Sequence, residues 1–312
     1  MKGGPKSPRR ALDGVLLLDK PLGLSSNDAL IKAKRIYLAK KAGHTGTLDP
    51  LATGLLPLCF GEATKFSQDL LEADKTYEAT MRLGIQTTTG DAEGEAVQAR
   101  EVRCDEAAVV VALQKFLGDI VQIPSMYSAL KRNGKPLYEY ARAGQTVERE
   151  GRPVTIHALQ VISCALLLVT FRVTCSKGTY VRTLAEDIGE ALGCGAHLTA
   201  LRRTGVGALT LDNAVTLNEL ATLNEEERDQ RLQSVDALLS TFPAVQLDDA
   251  VTKRFLHGQR LRLADVATTC LEAGRVRVYA QKGGRLLGVA KAGEGVLVPE
   301  RLIVTARHRA RP

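Results

Sequence analysis

Along the chain the spacing of apolar positions switches repeatedly between the strand period and the helix period, the signature of a fold built from both. Gly14 to Asp19 is a short apolar run that reads as a strand and closes in the turn Lys20-Pro21-Leu22-Gly23. Ser25 or Ser26 then caps a helix with apolar positions at Ala29, Leu30, Ala33 and Ile36 and a basic face of Lys32, Lys34 and Arg35. Lys40 to Pro57 is rich in Gly and Thr and reads as a long loop or series of turns, a length that usually signals function. Lys75 to Gly84 alternates strictly, with Tyr77, Ala79 and Met81 on one face, and Thr87 to Gly94 is a turn. The spacing predicts a helix over Glu106 to Leu117, capped by Asp105 and stopped by Gly118, and a hairpin within Leu159 to Ser176. A further helix is expected over Tyr180 to Leu192, ended by Gly193 and Gly195, and a charged helical stretch over Leu211 to Leu239. After Pro243 the texture changes to short strands and glycines, a small all-β module.

Composition narrows the class. The 312 residues are 45% hydrophobic and 25% charged, the proportions of a soluble globular protein, which excludes overall disorder. No apolar run approaches the roughly 20 residues of a membrane-spanning helix. Asp13 and Asp19 fall where a signal peptide needs unbroken apolar sequence, so the expected location is the cytosol. The six cysteines (59, 104, 164, 175, 194, 270) form no CxxC pair and are expected as buried, reduced thiols. Lys and Arg number 42 against 35 Asp and Glu, a net +7 that suits a polyanionic partner. Seven of those cations (Lys2, Lys6, Arg9, Arg10, Arg307, Arg309, Arg311) lie in the two ends with no acid beside them, where they also serve simply as solubilising charge. The chain has no GxxxxGK[ST], HExxH, GxSxG or zinc-deaminase pattern, and Cys194-Gly-Ala-His197 lacks a second ligand pair. Neither metal nor cofactor is expected.

The stretch Gly43-His-Thr-Gly-Thr-Leu-Asp-Pro-Leu-Ala-Thr-Gly-Leu-Leu56 carries the candidate chemistry. Its single acid, Asp49, is followed by Pro50 and set among Leu48, Leu51, Leu55 and Leu56, surroundings expected to desolvate it in part. On residue chemistry alone an Asx turn or helix cap accounts for an Asp-Pro pair as well as a catalytic carboxylate does.

That stretch resembles the catalytic motif of the bacterial tRNA pseudouridine synthase B (TruB) family. The likeness extends in order through GVLLLDKPLGLSSND, GEATKFSQ, KTYEATMRLG with TTTGDAEG, PSMYSALKRNGKPLYEYARAG, and CSKGTYVRTLAEDIG with LRRTGVG. It is dense over residues 12 to 210, and the C-terminal module is similar to the small β-barrel, related to the PUA domain, of bacterial members. The resemblance implies an α+β fold, a mixed and mainly antiparallel sheet with flanking helices, plus that PUA-like barrel. The expected division is a flexible basic tail over 1–10, a catalytic domain over 11–243 with an RNA-gripping loop at about 124–152, and an RNA-binding domain over 246–312.

The implied activity is isomerisation of the uridine at position 55 in the T stem-loop of tRNA to pseudouridine, through a flipped-out base. The C1'–N1 bond breaks and the sugar is rejoined at C5. Oxocarbenium character on the sugar calls for a nearby carboxylate, and one acid suffices because the base is kept. By resemblance Asp49 is that acid, acting by attack at C1', by addition at C6 or by deprotonating the sugar. Arg182 is implied as its partner and Tyr77 as the aromatic that stacks on the target base. His44 is implied to fill the gap left by the flipped base, and Tyr180 and Leu201 to line the uracil pocket. Lys65, in GEATK, is either a substrate contact or a structural salt bridge. Lys131, Arg132 and Arg142, interleaved with Tyr127, Tyr138 and Tyr140, are expected to meet RNA phosphates and bases. The expected partner is tRNA alone, bound by a monomer with no membrane and no required protein partner. The competing reading is a non-catalytic RNA-binding or tRNA-folding protein on the same fold; a guide-RNA-dependent enzyme is disfavoured by the chain's own gripping loop.

Overall fold

The protein is described by a computed structural model over residues 8–128, 130–165, 167–266 and 271–303. Its larger part is a nine-stranded sheet: β1 (Gly14–Lys20), β2 (Ala42–His44), β3 (Ala52–Phe60), β4 (Lys75–Leu83), β5 (Gly118–Gln122), β6 (Arg152–Ala165), β7 (Leu168–Cys175), β8 (Ala196–Val206) and β9 (Leu209–Thr210). The order is β1-β3-β8-β4-β7-β6-β5, with β2 also on β3 and β9 on β8. All pairings are antiparallel except β3 with β8, where Leu201 to Arg203 run beside Ala52 to Gly54. The sheet is therefore mixed and mainly antiparallel, and the parallel contact joins the second and third strands of that order.

Three helices cover it. Ser25 caps α1 (Ser26–Ile36) by accepting from the Asp28 N–H, and Asp105 caps α2 (Glu106–Gln114) through the Ala108 N–H. In α3 (Val181–Ala191), Val181, Leu184, Ala185 and Ile188 fall at helical spacing and pack with Ala79, Met81 and Leu83 of β4. A second cluster joins Ala29 and Ala33 of α1 to Leu16, Leu18, Leu56 and Leu58. Tyr77 and Leu201 touch both clusters. The junction of the two halves of the core thus falls at the β4–β8 pair.

Several expectations change. Lys40 to Pro57 is not a long loop: β2 and most of β3 lie within it, leaving residues 40–41 and 45–51 irregular. β3 is buried on both faces, so its side chains give no alternation for a sequence reader to follow. Pro57 costs no ladder bond, because β8 accompanies β3 only to Gly54 and β2 only from Leu58. β8 was not expected at all; bulges at Leu198/Ala200 and Arg203/Gly205 and the pair Arg202-Arg203 break its pattern. The Glu106 helix stops at Gln114, and Leu211 to Leu239 is interrupted because Thr216 and Asn224 each begin a new short helix with a capping box.

The C-terminal part is a five-stranded sheet, β10 (Ala244–Leu247), β11 (Leu261–Arg262), β12 (Gly274–Ala280), β13 (Leu286–Gly293) and β14 (Val296–Leu302), in the order β10-β12-β13-β14-β11. It is not all-β, since α4 (Asp249–Leu256) seats Val251 and Phe255 in its core. A seam joins it to the larger sheet: Val289 packs with Phe66, Leu238 and Leu239, Arg275 pairs with Asp69, and Tyr279 Oη donates to Asp236 at 2.7 Å. Arg10, expected in a free tail, is bound to Asp229 and Glu225; Lys2, Lys6, Arg307, Arg309 and Arg311 lie outside the described residues. Cys59, Cys175 and Cys194 are buried thiols as expected, whereas Cys104 and Cys164 are half-buried and Cys270 is outside the described residues.

Gly54 shows how tightly the parallel pairing is held. Its φ is +97°, and a Cβ there would sit 2.2 Å from the Arg203 carbonyl oxygen. Gly54→Ala is expected to push β8 away from β3 and to cost about 3 kcal/mol or more of stability, read as a lowered urea midpoint.

Candidate active site

The irregular segment 45–51 carries Asp49 and is pinned from several sides. Ser26, buried at the start of α1, accepts from the Leu48 N–H at 2.7 Å and donates to the Leu48 carbonyl at 3.1 Å. Gly23 N–H donates to the Pro50 carbonyl at 2.9 Å, Thr45 N–H to Pro57 at 3.1 Å, and Leu48 is anchored in the core. Those contacts satisfy buried backbone groups and fix the peptide that presents Asp49.

Arg182 meets Asp49 at 3.0 Å through Nη2, and Asp91 at 3.0 Å through Nη1. The same guanidinium donates to the Thr89 carbonyl at 3.2 Å and the Tyr127 carbonyl at 3.1 Å. Asp91 in turn accepts from Thr89 Oγ1 and, at 3.1 Å, from the Glu93 N–H. The side chains of Arg182 and Asp91 are 8% and 3% exposed, but that of Asp49 is 45% exposed. Asp49 is therefore not desolvated by its leucines as expected. Leu48, Leu55 and Leu56 point into the core, and the buried carboxylate is Asp91.

Asp49 borders a cavity of about 270 Å³ whose lining includes Tyr77, Tyr180, Arg182 and Leu201, together with Lys75, Ser128 and Arg203. That volume lies near the roughly 300 Å³ lower end of small-molecule sites, room for one nucleotide-sized group. Tyr77 (β4) stands opposite Arg203 (β8); burial pushes its phenol up, with Arg203 opposing. Gln122 at the end of β5 clamps Tyr180, accepting from its N–H at 3.0 Å and donating to its carbonyl at 3.3 Å. Burial also raises the Tyr180 phenol. His44, on β2, is outside the lining; its Nδ1 is buried without a partner among the described residues, and burial and then Arg203 lower its basicity. Lys65 is also outside. It pairs with Glu62 and donates to the Leu302 carbonyl at 2.9 Å, so its contacts belong to the seam with the C-terminal sheet.

Four side chains were not singled out from the sequence. Arg203, 1% exposed, fills the gap between β8 and β2, donating to Leu55 at 2.7 Å and Gly46 at 3.3 Å. Lys75 binds the Leu71 and Ala73 carbonyls, and burial followed by Arg203 brings its ammonium down to about 8. Lys20, wholly buried, donates to Pro21 at 2.9 Å and Leu24 at 2.6 Å; burial lowers it and the charge of Asp49 opposes that. Asp91 sits in TTTGDAEG, one of the matched stretches, where its acid could have been noticed. No group of three or more His, Cys, Asp or Glu among the described residues could hold a metal.

The segment expected to meet RNA contains a hairpin, Lys131–Arg132 against Lys135–Pro136, turned by Asn133 and Gly134 at φ +51° and +78°. Lys131, Arg132 and Arg142 are exposed, and none pairs with an acid among the described residues. Arg142 lies 5.3 Å over the Tyr138 ring and Lys135 4.7 Å over Tyr140. Arg149 instead turns inward to the Pro124 carbonyl at 3.1 Å.

Comparison with known proteins places this architecture among the pseudouridylate synthases. Residues 34–181 match the N-terminal domain of TruB family pseudouridylate synthase, 182–240 the C-terminal domain of tRNA pseudouridylate synthase B, and 243–303 the pseudouridine synthase II TruB C-terminal domain. The chain is 75% identical over 303 residues to tRNA pseudouridine synthase B of Burkholderia mallei, covering 96% of this chain and 97% of that one. It is 64% identical over 304 residues to tRNA pseudouridine synthase B of Cupriavidus taiwanensis, covering 96% of each. Among solved structures it is similar to a chain of an H/ACA RNP bound to a substrate RNA containing 2'-deoxyuridine, with 26% identity, TM-score 0.75, and 94% and 85% of the two chains covered. A Cbf5-Nop10-Gar1 complex gives 28% identity and TM-score 0.74, with 93% and 84% covered. The chain belongs to the TruB family.

One titration beside the site is open to measurement. Glu186, one turn after Arg182 on α3, is pushed up to about 7 by burial and then by Asp187, with Arg182 opposing. Because its folded value is raised above the ordinary 4.5, the unfolded chain releases this proton first as pH climbs, and folding stability falls between about 4.5 and 7. Glu186→Gln removes that loss. The variant should gain stability relative to wild type on going from pH 5 to pH 8, by on the order of 1 to 3 kcal/mol, measured by urea unfolding at both values.

Proposed function

We infer that this chain isomerises the uridine at position 55 in the T-loop of tRNA to pseudouridine, with Asp49 as the catalytic carboxylate. The observation that carries this reading is the pairing of a half-exposed Asp49 with a buried Arg182 at the edge of a nucleotide-sized cavity. A flipped uridine stacks on Tyr77, with Tyr180 and Leu201 beside its ring. His44 stands outside that cavity, and its proposed part is to fill the gap the flipped base leaves. As the C1'–N1 bond breaks, positive charge grows on the sugar. Asp49 answers it from a fixed position, with no reorganisation to be done at that moment. The freed base stays in the cavity, rotates, and rejoins C1' at C5; the proton displaced from C5 leaves, and N1 gains one, so substrate and product are isomers. No redox partner or group donor enters this balance.

A binding-only protein gains nothing from placing Asp49 where RNA phosphates approach, since that carboxylate repels them. Lys131, Arg132 and Arg142 supply the compensating attraction, and the C-terminal sheet extends the RNA-facing surface. One chain carries the whole cavity, which supports action as a monomer, and a tRNA substrate supports a cytoplasmic location. No helix among the described residues is long and apolar enough to cross a membrane.

Asp49→Asn keeps the size and removes the charge. It should abolish isomerisation in single-turnover assays of unmodified tRNA while tRNA affinity stays within about three-fold of wild type, the split expected for a group that acts only in the transition state. Comparable turnover by this variant would be incompatible with the assigned role. Neutralising Lys131, Arg132 and Arg142 together should weaken tRNA binding and lower the log-log salt slope by about 0.7 to 0.9 per lost phosphate contact, followed by filter binding across salt.

A further inference from the structure

Arg182 draws one of its four contacts from the segment expected to meet RNA. The Tyr127 carbonyl accepts from Nη2, the same nitrogen that meets Asp49. Tyr127 stands in the turn that opens the segment bearing Lys131, Arg132 and Arg142. That turn is shaped by Ser125, whose Oγ accepts at 3.1 Å from the N–H of Tyr127, the residue whose carbonyl faces Arg182. On its far side the turn is tied to the short helix Leu137–Arg142 that follows the hairpin, through Tyr138 N–H to the Ser128 carbonyl at 3.1 Å.

Beside that hydrogen bond, part of the segment stands away from α3. A cavity of about 420 Å³ lies between them, with Arg149 on the segment side and Thr183 and Glu186 on the helix side. Thr183 Oγ1 and Arg149 Nε are buried in its walls with no partner among the described residues. The hydrogen bond from Arg182 to Tyr127 is therefore a discrete link across a gap, and a shift of the turn changes how the guanidinium is shared between that carbonyl and Asp49.

We propose that the Ser125–Ser128 turn, at the root of the RNA-gripping segment, positions Arg182 and through it Asp49, with Ser125 as the positioning residue. This rests on the assignment of that segment to RNA and of Asp49 to catalysis. The consequence is a coupling of grip to chemistry: Arg182 is fully held when the segment is seated, and holds Asp49 less firmly when the turn is loosened.

The test compares Ser125→Ala and Ser125→Thr in the full chain, measuring tRNA Kd and the single-turnover rate at saturating enzyme. Ser125→Ala should slow isomerisation about five-fold, the equivalent of one ordinary hydrogen bond, with Kd within about two-fold of wild type. Ser125→Thr retains the acceptor oxygen and should restore the rate. A residue that merely keeps the segment folded would weaken Kd along with the rate, and that result, an unchanged rate in Ser125→Ala, or a slow Ser125→Thr would each overturn the proposal. Unaltered tRNA affinity in the Lys131, Arg132 and Arg142 variant would instead count against the RNA assignment of the segment, separately from the Ser125 result.

Discussion

A guanidinium taken out of water must recover its hydration from the protein, or it costs several kcal/mol. Arg182 is in that position. Its recovery comes from Asp49 on the loop before β3, Thr89 and Asp91 on the turn after β4, and Tyr127 at the root of the hairpin segment. Those partners are widely separated in sequence, so satisfying one side chain on α3 fixes the relative placement of three segments. Asp91 is held by its own turn and faces away from solvent, which leaves Asp49 as the partner open to the cavity. The division of labour between the two carboxylates follows from their burial.

Arg203 does the corresponding work where β3 runs beside β8. The parallel register of β3 and β8 ends at Gly54, and the guanidinium occupies the gap before β2 begins, supplying donors to the Leu55 and Gly46 carbonyls. It also faces Tyr77 and adds to the effect of burial in lowering the basicity of Lys75 and His44. Lys20, Lys75 and Arg203 thus surround the Asp49 loop with buried cations bonded to backbone carbonyls. Their positive charge offsets the carboxylates at a site meant for a polyanion.

The seam with the C-terminal sheet is built on the same logic of satisfied charge over an apolar contact. Val289 supplies burial against Phe66 and Leu239, while Lys65, Arg275 and Arg301 bridge to backbone and acids of the other part. Lys65 in GEATK is accounted for by this seam. Its distance from the chemistry could not be read from the motif alone, because the same sequence serves either purpose until the C-terminal sheet is docked on it.

The residues by themselves determined the elements with one clean period and one buried face. β1, α1, β4, the β6–β7 hairpin and the core of α3 follow from local spacing and from caps such as Ser25 and Asp105. Asp49 and Arg182 were legible through the motif likeness and not through any local physical signal. What only the tertiary structure decided depends on contacts across long separations. β3 is buried on both faces and β8 is bulged, so neither shows a period; the exposure of Asp49, the burial of Asp91, and the use of Arg203 to close a gap in the sheet depend on which strands become neighbours. A side chain's solvation is a property of what folds over it. The chain therefore announces its charges in advance, and the packing decides which of them remain in water.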